Sequence, residues 1–98
     1  RDTQDDKPQF YLCLPKGIPY KEQLLVRWAE LMARGAKKYN DRNWEKANSQ
    51  TALDRAKESL IRHAIQACTD ENDEDHLAAV MFNAMFIATL QYKLKEKK

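Results

Sequence analysis

The sequence has few of the residues that form turns or that cross-link small domains. Its 98 residues include two glycines, three prolines and two cysteines. So few turn-forming residues argue against a many-stranded sandwich. Cys13 and Cys68 lie in no CxxC or Cys/His spacing, which argues against a zinc knuckle or a disulfide framework. With 43% hydrophobic residues the chain is too apolar to be disordered, and its length suits one small domain.

An excess of either charge is also missing. Lys and Arg total 17 against 15 acidic residues, a net charge of +2, so the sequence gives no support for nucleic-acid binding. The most apolar stretch, from Leu77 to Leu90, spans about 14 residues, whereas a membrane span needs about 20. The chain also begins without a charged-then-apolar leader. We therefore expect a cytoplasmic protein with neither a nucleic acid nor a membrane as its partner.

What the chain does have is helical periodicity. Apolar residues that recur at steps of three and four predict an all-α fold with main helices over residues 19–36, 51–68 and 73–95. Pro19 suits the first position of the first helix because a missing N–H costs nothing there. Residues 1–18 contain two prolines and are predicted to form an ordered, extended arm on the core.

The third predicted helix is apolar on nearly every side between Leu77 and Leu90. Two neighbouring helices of the same chain cannot cover such a helix all round. We therefore predict a small helical bundle completed by homo-oligomerisation, as a dimer or a tetramer.

The segment after the first helix mixes cations, aromatic rings and amides. Lysines at 37 and 38 precede Tyr39, Asn43 and Trp44. Phosphate donors beside stacking faces and amide groups are what a nucleotide needs. Taken alone, this composition is a weak signal, and a solvated loop would explain it as well.

Helix two carries Asp54, Glu58 and Arg62 one turn apart, with His63 next to Arg62. A ladder of surface ion pairs would explain the first three residues. His63 would then be an ordinary residue at the rim of the bundle.

Five acidic residues lie between Thr69 and His76. Acidic side chains at a helix N-terminus can cap free N–H groups. Five exceed what capping requires, and a hard divalent cation such as Mg²⁺ or Mn²⁺ would neutralise them. Farther along the same helix, the amide of Asn83 either ties two helices together or reads the edge of a base or sugar.

Four segments resemble a known family in the same order. They are DDKPQFYLCLP, GAKKYNDRNW, ESLIRH and DENDEDHLAAVMFNAMF. The resemblance is to the small proteins named for the N-terminal domain of dATP/dGTP diphosphohydrolase, which look like relatives of the MazG-like, all-α nucleoside triphosphate pyrophosphohydrolases. It covers almost the whole chain, and the part from Gly35 to Trp44 together with Arg62 and His63 is the most specific.

The resemblance implies an oligomeric, metal-dependent pyrophosphohydrolase that converts a purine deoxynucleoside triphosphate to its monophosphate and pyrophosphate. Glu58 and His63 are the implied catalytic residues, and Glu58, Glu71 and Asp75 the implied ligands of Mg²⁺ or Mn²⁺. The implied nucleotide contacts are Lys37, Lys38, Tyr39, Asn43, Trp44, Arg62 and Asn83.

One feature departs from the wider pyrophosphohydrolase pattern of ExxE on one helix and ExxD on the next. Helix two has Ile61 three residues after Glu58, and the literal ExxE, Glu71 to Glu74, lies between helices. Either the ligand set differs or the protein binds and sequesters a nucleotide without hydrolysing it. A structural helical adaptor is the third alternative.

Overall fold

The computed structural model describes residues 7–96 and confirms the all-α fold. Its three α-helices are α1, Leu24–Tyr39, α2, Gln50–Cys68, and α3, His76–Glu96. Short 3-10 turns occupy Phe10–Cys13, Tyr20–Glu22 and Asn43–Lys46, and the described range contains no strand.

Helix α3 is the centre of the bundle, since both α1 and α2 pack mainly against it. The buried apolar side chains are Leu53, Ala56, Ala78, Ala79 and Leu90. Three of these five are alanines, so the helix backbones can approach closely where they meet. The small core leaves wide apolar surfaces on the outside of the chain.

Helix α1 begins five residues later than the prediction of residue 19. Pro19 instead precedes the 3-10 turn Tyr20–Glu22, and Gln23, with an extended backbone, caps α1. The Gln23 side chain donates hydrogen bonds to the carbonyl oxygens of Pro15 and Ile18 at 3.0 and 2.8 Å. These bonds hold the preceding chain across the helix start, so the first α-helical turn forms only after Gln23.

The same helix continues three residues beyond its predicted end at Ala36. Gly35 lies inside α1, and the residue that ends the helix is Asn40, whose backbone has a positive φ of 79°. Its N–H donates to the carbonyl of Ala36 at 2.9 Å. The helix therefore continues through Gly35 and ends where Asn40 leaves the helical conformation.

The boundaries of α2 and of the start of α3 follow from their caps. Ser49 Oγ accepts a hydrogen bond from the N–H of Ala52 at 3.1 Å, so α2 begins at Gln50 rather than Thr51. Asp75 Oδ1 accepts from the N–H of Ala78 at 3.1 Å. Helix α3 therefore starts at His76 and not at residue 73, because Asp75 acts as its cap.

The structure departs from the predicted extended arm at Phe10–Cys13; residues 1–6 lie outside the described range. Phe10–Cys13 forms a 3-10 turn whose amides bond back three residues along the chain. The side chains of Phe10 and Leu12 are 79% and 69% exposed. Hydrogen bonds within this turn thus replace the extended backbone that the prediction assumed.

By length and composition alone, α3 is long and apolar enough to cross a membrane, although the core helix of a soluble protein can meet the same test. The prediction that excluded a membrane span considered a shorter stretch. In the window concerned, 22% of the residues are buried inside the chain. Many residues of this apolar helix are thus only partly covered by the rest of the chain.

Candidate functional site

A groove of about 760 Å³ lies between α1, the segment that follows it, and α3. We call it the α1–α3 groove. Small-molecule sites typically have such a volume and a mainly apolar lining with a few polar groups. It is lined by Ala29, Leu31, Met32, Ala33, Gly35, Ala36, Tyr39, Asn40, Asp41, Arg42, Asn43, Trp44, Phe82 and Met85.

Trp44 forms a fixed wall of the groove. Two residues with positive φ, Asn40 and Arg42, follow α1 and lead into the 3-10 turn that carries the indole. The Trp44 ring makes edge contacts with Phe82 and Phe86 of α3, at centroid distances of 6.2 and 6.0 Å. The two phenylalanine rings stack on each other at 5.4 Å, so the indole is supported by a pair of rings one helical turn apart.

The far side of this turn is anchored by Lys93. Its ammonium group donates hydrogen bonds to the carbonyl oxygens of Glu45 and Ala47. Those carbonyls follow Trp44 directly, and Lys93 lies near the end of α3. The segment is therefore tied to α3 by aromatic contacts on one side and by a charge-assisted hydrogen bond on the other.

Two cationic side chains occupy the last turn of α1, between the groove residues Ala36 and Tyr39 in the sequence. Lys37 and Lys38 are exposed and occupy the last turn of the helix, where positive charge complements the helix dipole. The Lys38 ammonium lies 5.2 Å from the centre of the Tyr39 ring. The predicted Tyr39, Asn43 and Trp44 thus line one groove, and Lys38 lies beside the ring of Tyr39.

Asn83 does not line the groove, and it faces α2 instead. Its side chain is buried, and Nδ2 donates to Ser59 Oγ at 3.2 Å and to the Ala79 carbonyl at 2.9 Å. Of the two roles proposed for this amide, the structure shows the tie between helices.

Glu58 and Arg62 lie on the outer face of α2, away from the α1–α3 groove. Both are exposed and line a shallow depression with Ile61, Ile65 and Gln66. Asp54, their predicted partner in the ladder, accepts a hydrogen bond from Gln50 at 2.9 Å. The predicted catalytic Glu58 is therefore not brought to the groove within one chain.

The carboxylate of Asp75 accepts hydrogen bonds from Arg27 and from the backbone of α3. Its Oδ2 and Oδ1 accept hydrogen bonds from Arg27 Nε and Nη2, each at 2.8 Å, and Oδ1 also caps Ala78. The Arg27 hydrogen bond is the main cause that lowers the pKa of the Asp75 carboxyl. Both carboxylate oxygens are therefore committed to a guanidinium group rather than free for a cation.

The predicted Mg²⁺ or Mn²⁺ ligands do not fit a shared site in this structure. Neither Glu58 nor Asp75 belongs to any group of three potential ligands, among residues 7–96, whose ligand atoms lie within 4.8 Å of one another. Glu71 does belong to one, with Asp73 and His76. Arg27, 48 residues away along the chain, donates a hydrogen bond to the carboxylate of Asp75, so within one chain the three predicted ligands are not brought together.

His63, the other predicted catalytic residue, meets a partner that the sequence interpretation left out. Its Nδ1 lies 2.9 Å from Nδ1 of His76, whose Nε2 lies 2.7 Å from Asp73 Oδ1. This bond from His76 is the main cause that lowers the pKa of the Asp73 carboxyl. The signal was present in the pattern, since the end of α2 and the start of α3 must adjoin across a short connection.

The structure also adds Phe82, Met85 and Asn40 to the groove. Phe82 and Phe86, four residues apart on one helix, could have been recognised as a possible aromatic platform. To assign Asn40 to the groove, one must know that α1 ends at Tyr39.

Comparison with known proteins identifies the family of the chain. No curated protein and no solved structure shows significant similarity to the chain. The family model described as dATP/dGTP diphosphohydrolase, N-terminal, matches residues 1–98. The chain therefore belongs to the dATP/dGTP diphosphohydrolase N-terminal domain family.

Proposed function

We propose that the protein is a purine deoxynucleoside triphosphate pyrophosphohydrolase whose α1–α3 groove holds the nucleoside. The family description names dATP/dGTP diphosphohydrolase, and the groove offers a volume suited to one small ligand. Hydrolysis between the α and β phosphates, with addition of one water, would give the monophosphate and pyrophosphate.

The observation that carries this proposal is the fixed position of Trp44. An indole held by Phe82 and Phe86 loses little conformational freedom when a base stacks on it, so more of the stacking energy contributes to affinity. Tyr39, which also lines the groove, supplies a second ring. In this proposal the two rings hold the purine, and Asn43 donates to or accepts from its edge.

The triphosphate would lie toward the end of α1. Lys37 and Lys38 place two exposed ammonium groups there, and each can donate hydrogen bonds to phosphate oxygens. A triphosphate in solution carries Mg²⁺ or Mn²⁺, and we include either ion as the cofactor that neutralises phosphate charge. Since the predicted carboxylates do not fit a shared site, we assign no ligands for it.

Binding without turnover is the second candidate, and one observation favours it. Asp75, predicted as a metal ligand, is held by Arg27, so the carboxylate set expected of the hydrolase is incomplete in one chain. The groove would then sequester a purine nucleotide.

The test separates binding from hydrolysis. Pyrophosphate release from dATP and dGTP with Mg²⁺ or Mn²⁺ measures turnover, and calorimetric titration with the α,β-imido analogue of dGTP measures binding alone. Tyr39→Ala removes a ring that is 54% exposed, and Tyr20→Ala is the matched control because that ring is 74% exposed and lies outside the groove.

Loss of one stacking ring costs about 1–3 kcal/mol, so Tyr39→Ala should weaken binding of the analogue by about fivefold or more. Tyr20→Ala should bind like the wild type. A double Lys37→Ala, Lys38→Ala variant should bind the triphosphate more weakly and the nucleoside unchanged. Equal binding by Tyr39→Ala and the wild type would remove the groove as the nucleotide site, and binding without pyrophosphate release would favour sequestration.

A further inference from the structure

Two imidazoles face each other at the junction of α2 and α3, outside the α1–α3 groove. Nδ1 of His63 lies 2.9 Å from Nδ1 of His76, and the ring centroids are 5.1 Å apart. His76 is only 3% exposed. Neither the groove nor the nucleotide proposal uses this pair.

The partner on the far side of His76 determines which nitrogen is free. A carboxylate only accepts hydrogen bonds, so Asp73 Oδ1 at 2.7 Å requires that Nε2 of His76 carries a proton. In the neutral ring, Nδ1 is then left with a lone pair, and this nitrogen lies 2.9 Å from Nδ1 of His63. This carboxylate-to-histidine bond is the support that metal-binding histidines commonly have, and it raises the basicity of the ligand nitrogen.

A third ligand is within reach. A carboxylate oxygen of Glu74 and a ring nitrogen of each histidine lie within 4.8 Å of one another. Glu74 is exposed, so its side chain can rotate toward the two nitrogens.

The distance between the nitrogens indicates the kind of ion. If each nitrogen lies about 2.1 Å from one ion, a separation of 2.9 Å corresponds to an angle of about 90° at the metal, whereas a tetrahedral site would need about 3.4 Å. An angle near 90° is that of neighbouring positions in an octahedron. Imidazole ligands favour first-row transition metals over Mg²⁺, which prefers oxygen.

We propose that His63, His76 and Glu74 bind one divalent transition-metal ion in octahedral geometry, with water in the open positions and Asp73 supporting His76. The competing explanation is a proton shared between the two imidazoles, which would satisfy the same short distance. The two explanations differ in whether an ion displaces that proton.

The experiment titrates the chelator-treated full chain with Ni²⁺ by calorimetry, without nucleotide, and with Mg²⁺ for comparison. Co²⁺ absorption in the visible range then reports the coordination number. We expect one Ni²⁺ per chain, at least a hundredfold weaker binding of Mg²⁺, and the weak absorption of octahedral Co²⁺. His63→Gln should reduce Ni²⁺ affinity at least a hundredfold.

Glu74→Gln tests the third ligand at an exposed position where folding is not at risk, and should weaken Ni²⁺ binding about tenfold or more. Asp70→Asn is its control, because it removes the same charge nearby and asparagine suits the left-handed backbone of residue 70, φ 61°. It should change affinity less than threefold.

Three results would overturn the proposal. They are the absence of Ni²⁺ binding to the wild type, equal binding by the wild type and Glu74→Gln, and a larger loss in Glu71→Gln than in Glu74→Gln. The last result would assign the ion to the alternative group of Glu71, Asp73 and His76.

Discussion

The ion pair between Arg27 and Asp75 joins α1 to the start of α3, and removing its charge should measurably destabilise the fold. Asp75→Asn keeps an oxygen that can cap Ala78, since asparagine caps nearly as well as aspartate. It loses the charge that accepts two hydrogen bonds from the Arg27 guanidinium. The substitution therefore isolates the contact between helices from the cap.

The magnitude follows from partial burial. The two side chains are 28% and 27% exposed, so the cost should lie between the 0–1 kcal/mol of a surface pair and the 3–5 kcal/mol of a broken buried pair, at about 1–2 kcal/mol. Arg27→Met keeps most of the aliphatic stem and should cost a similar amount. The double variant should cost clearly less than the sum of the two, because both remove the same contact.

The assay is urea unfolding followed by circular dichroism, at pH 7, with a chelator and at one fixed protein concentration. Glu30→Gln is the control, since its partner Lys21 forms a pair with side chains 73% and 35% exposed; we expect a change below about 0.5 kcal/mol. A change below about 0.5 kcal/mol for Asp75→Asn, or simple additivity in the double variant, would refute the reasoning.

The pH dependence has a defined sign. The pKa of Asp75 is lowered in the folded chain, mainly by Arg27, so its contribution is present above the unfolded pKa of about 3.9 and is lost as pH falls through the folded pKa. The difference in unfolding free energy between the wild type and Asp75→Asn should be constant from about pH 7 to 5 and should shrink below about pH 4.

Three further outcomes are expected. Asn83→Ala should destabilise by about 1–3 kcal/mol in urea, because it removes a buried amide bonded to Ser59, whereas the exposed Gln91→Ala should stay within about 0.5 kcal/mol. Lys93→Met should speed hydrogen exchange in the segment after α1, to which Lys93 donates; unchanged protection would contradict the anchoring role. The wild type should sediment as a dimer or tetramer at micromolar concentration, and Phe86→Asp should dissociate and unfold together, so a stable wild-type monomer would count against oligomerisation.

The sequence was sufficient to predict the helices because periodicity and caps are local signals. Ser49 caps α2 within one residue of the predicted start. The α1 boundaries were less accurate, because Gln23 bonds to carbonyls five and eight residues back and Asn40, rather than Gly35, ends the helix. The residues that can cap or end a helix can be recognised in a sequence, but which of them does so depends on packing.

The candidate site shows the same difference between local signals and contacts that are distant in sequence. Tyr39, Asn43 and Trp44 lie close together in the chain, so their composition alone pointed to one loop. The platform beneath Trp44 comes from Phe82 and Phe86, and the group that occupies Asp75 comes from Arg27. Contacts between residues dozens of positions apart depend on helix register, which a single sequence without aligned relatives does not fix.

Exposed apolar residues on α3 and α2 are the reason why we expect the protein to form an oligomer. Apolar residues on every side of a helix imply contacts on every side. Within one chain, however, Leu77 of α3 is 47% exposed, and Ile61 and Ile65 of α2 are 53% and 58% exposed. Glu58 lies beside these isoleucines. We expect a second copy of the chain to cover this face of α2 in the oligomer, and it would then also cover Glu58. The Glu58 carboxylate, which lies outside the α1–α3 groove of its own chain, would thus lie at the subunit interface.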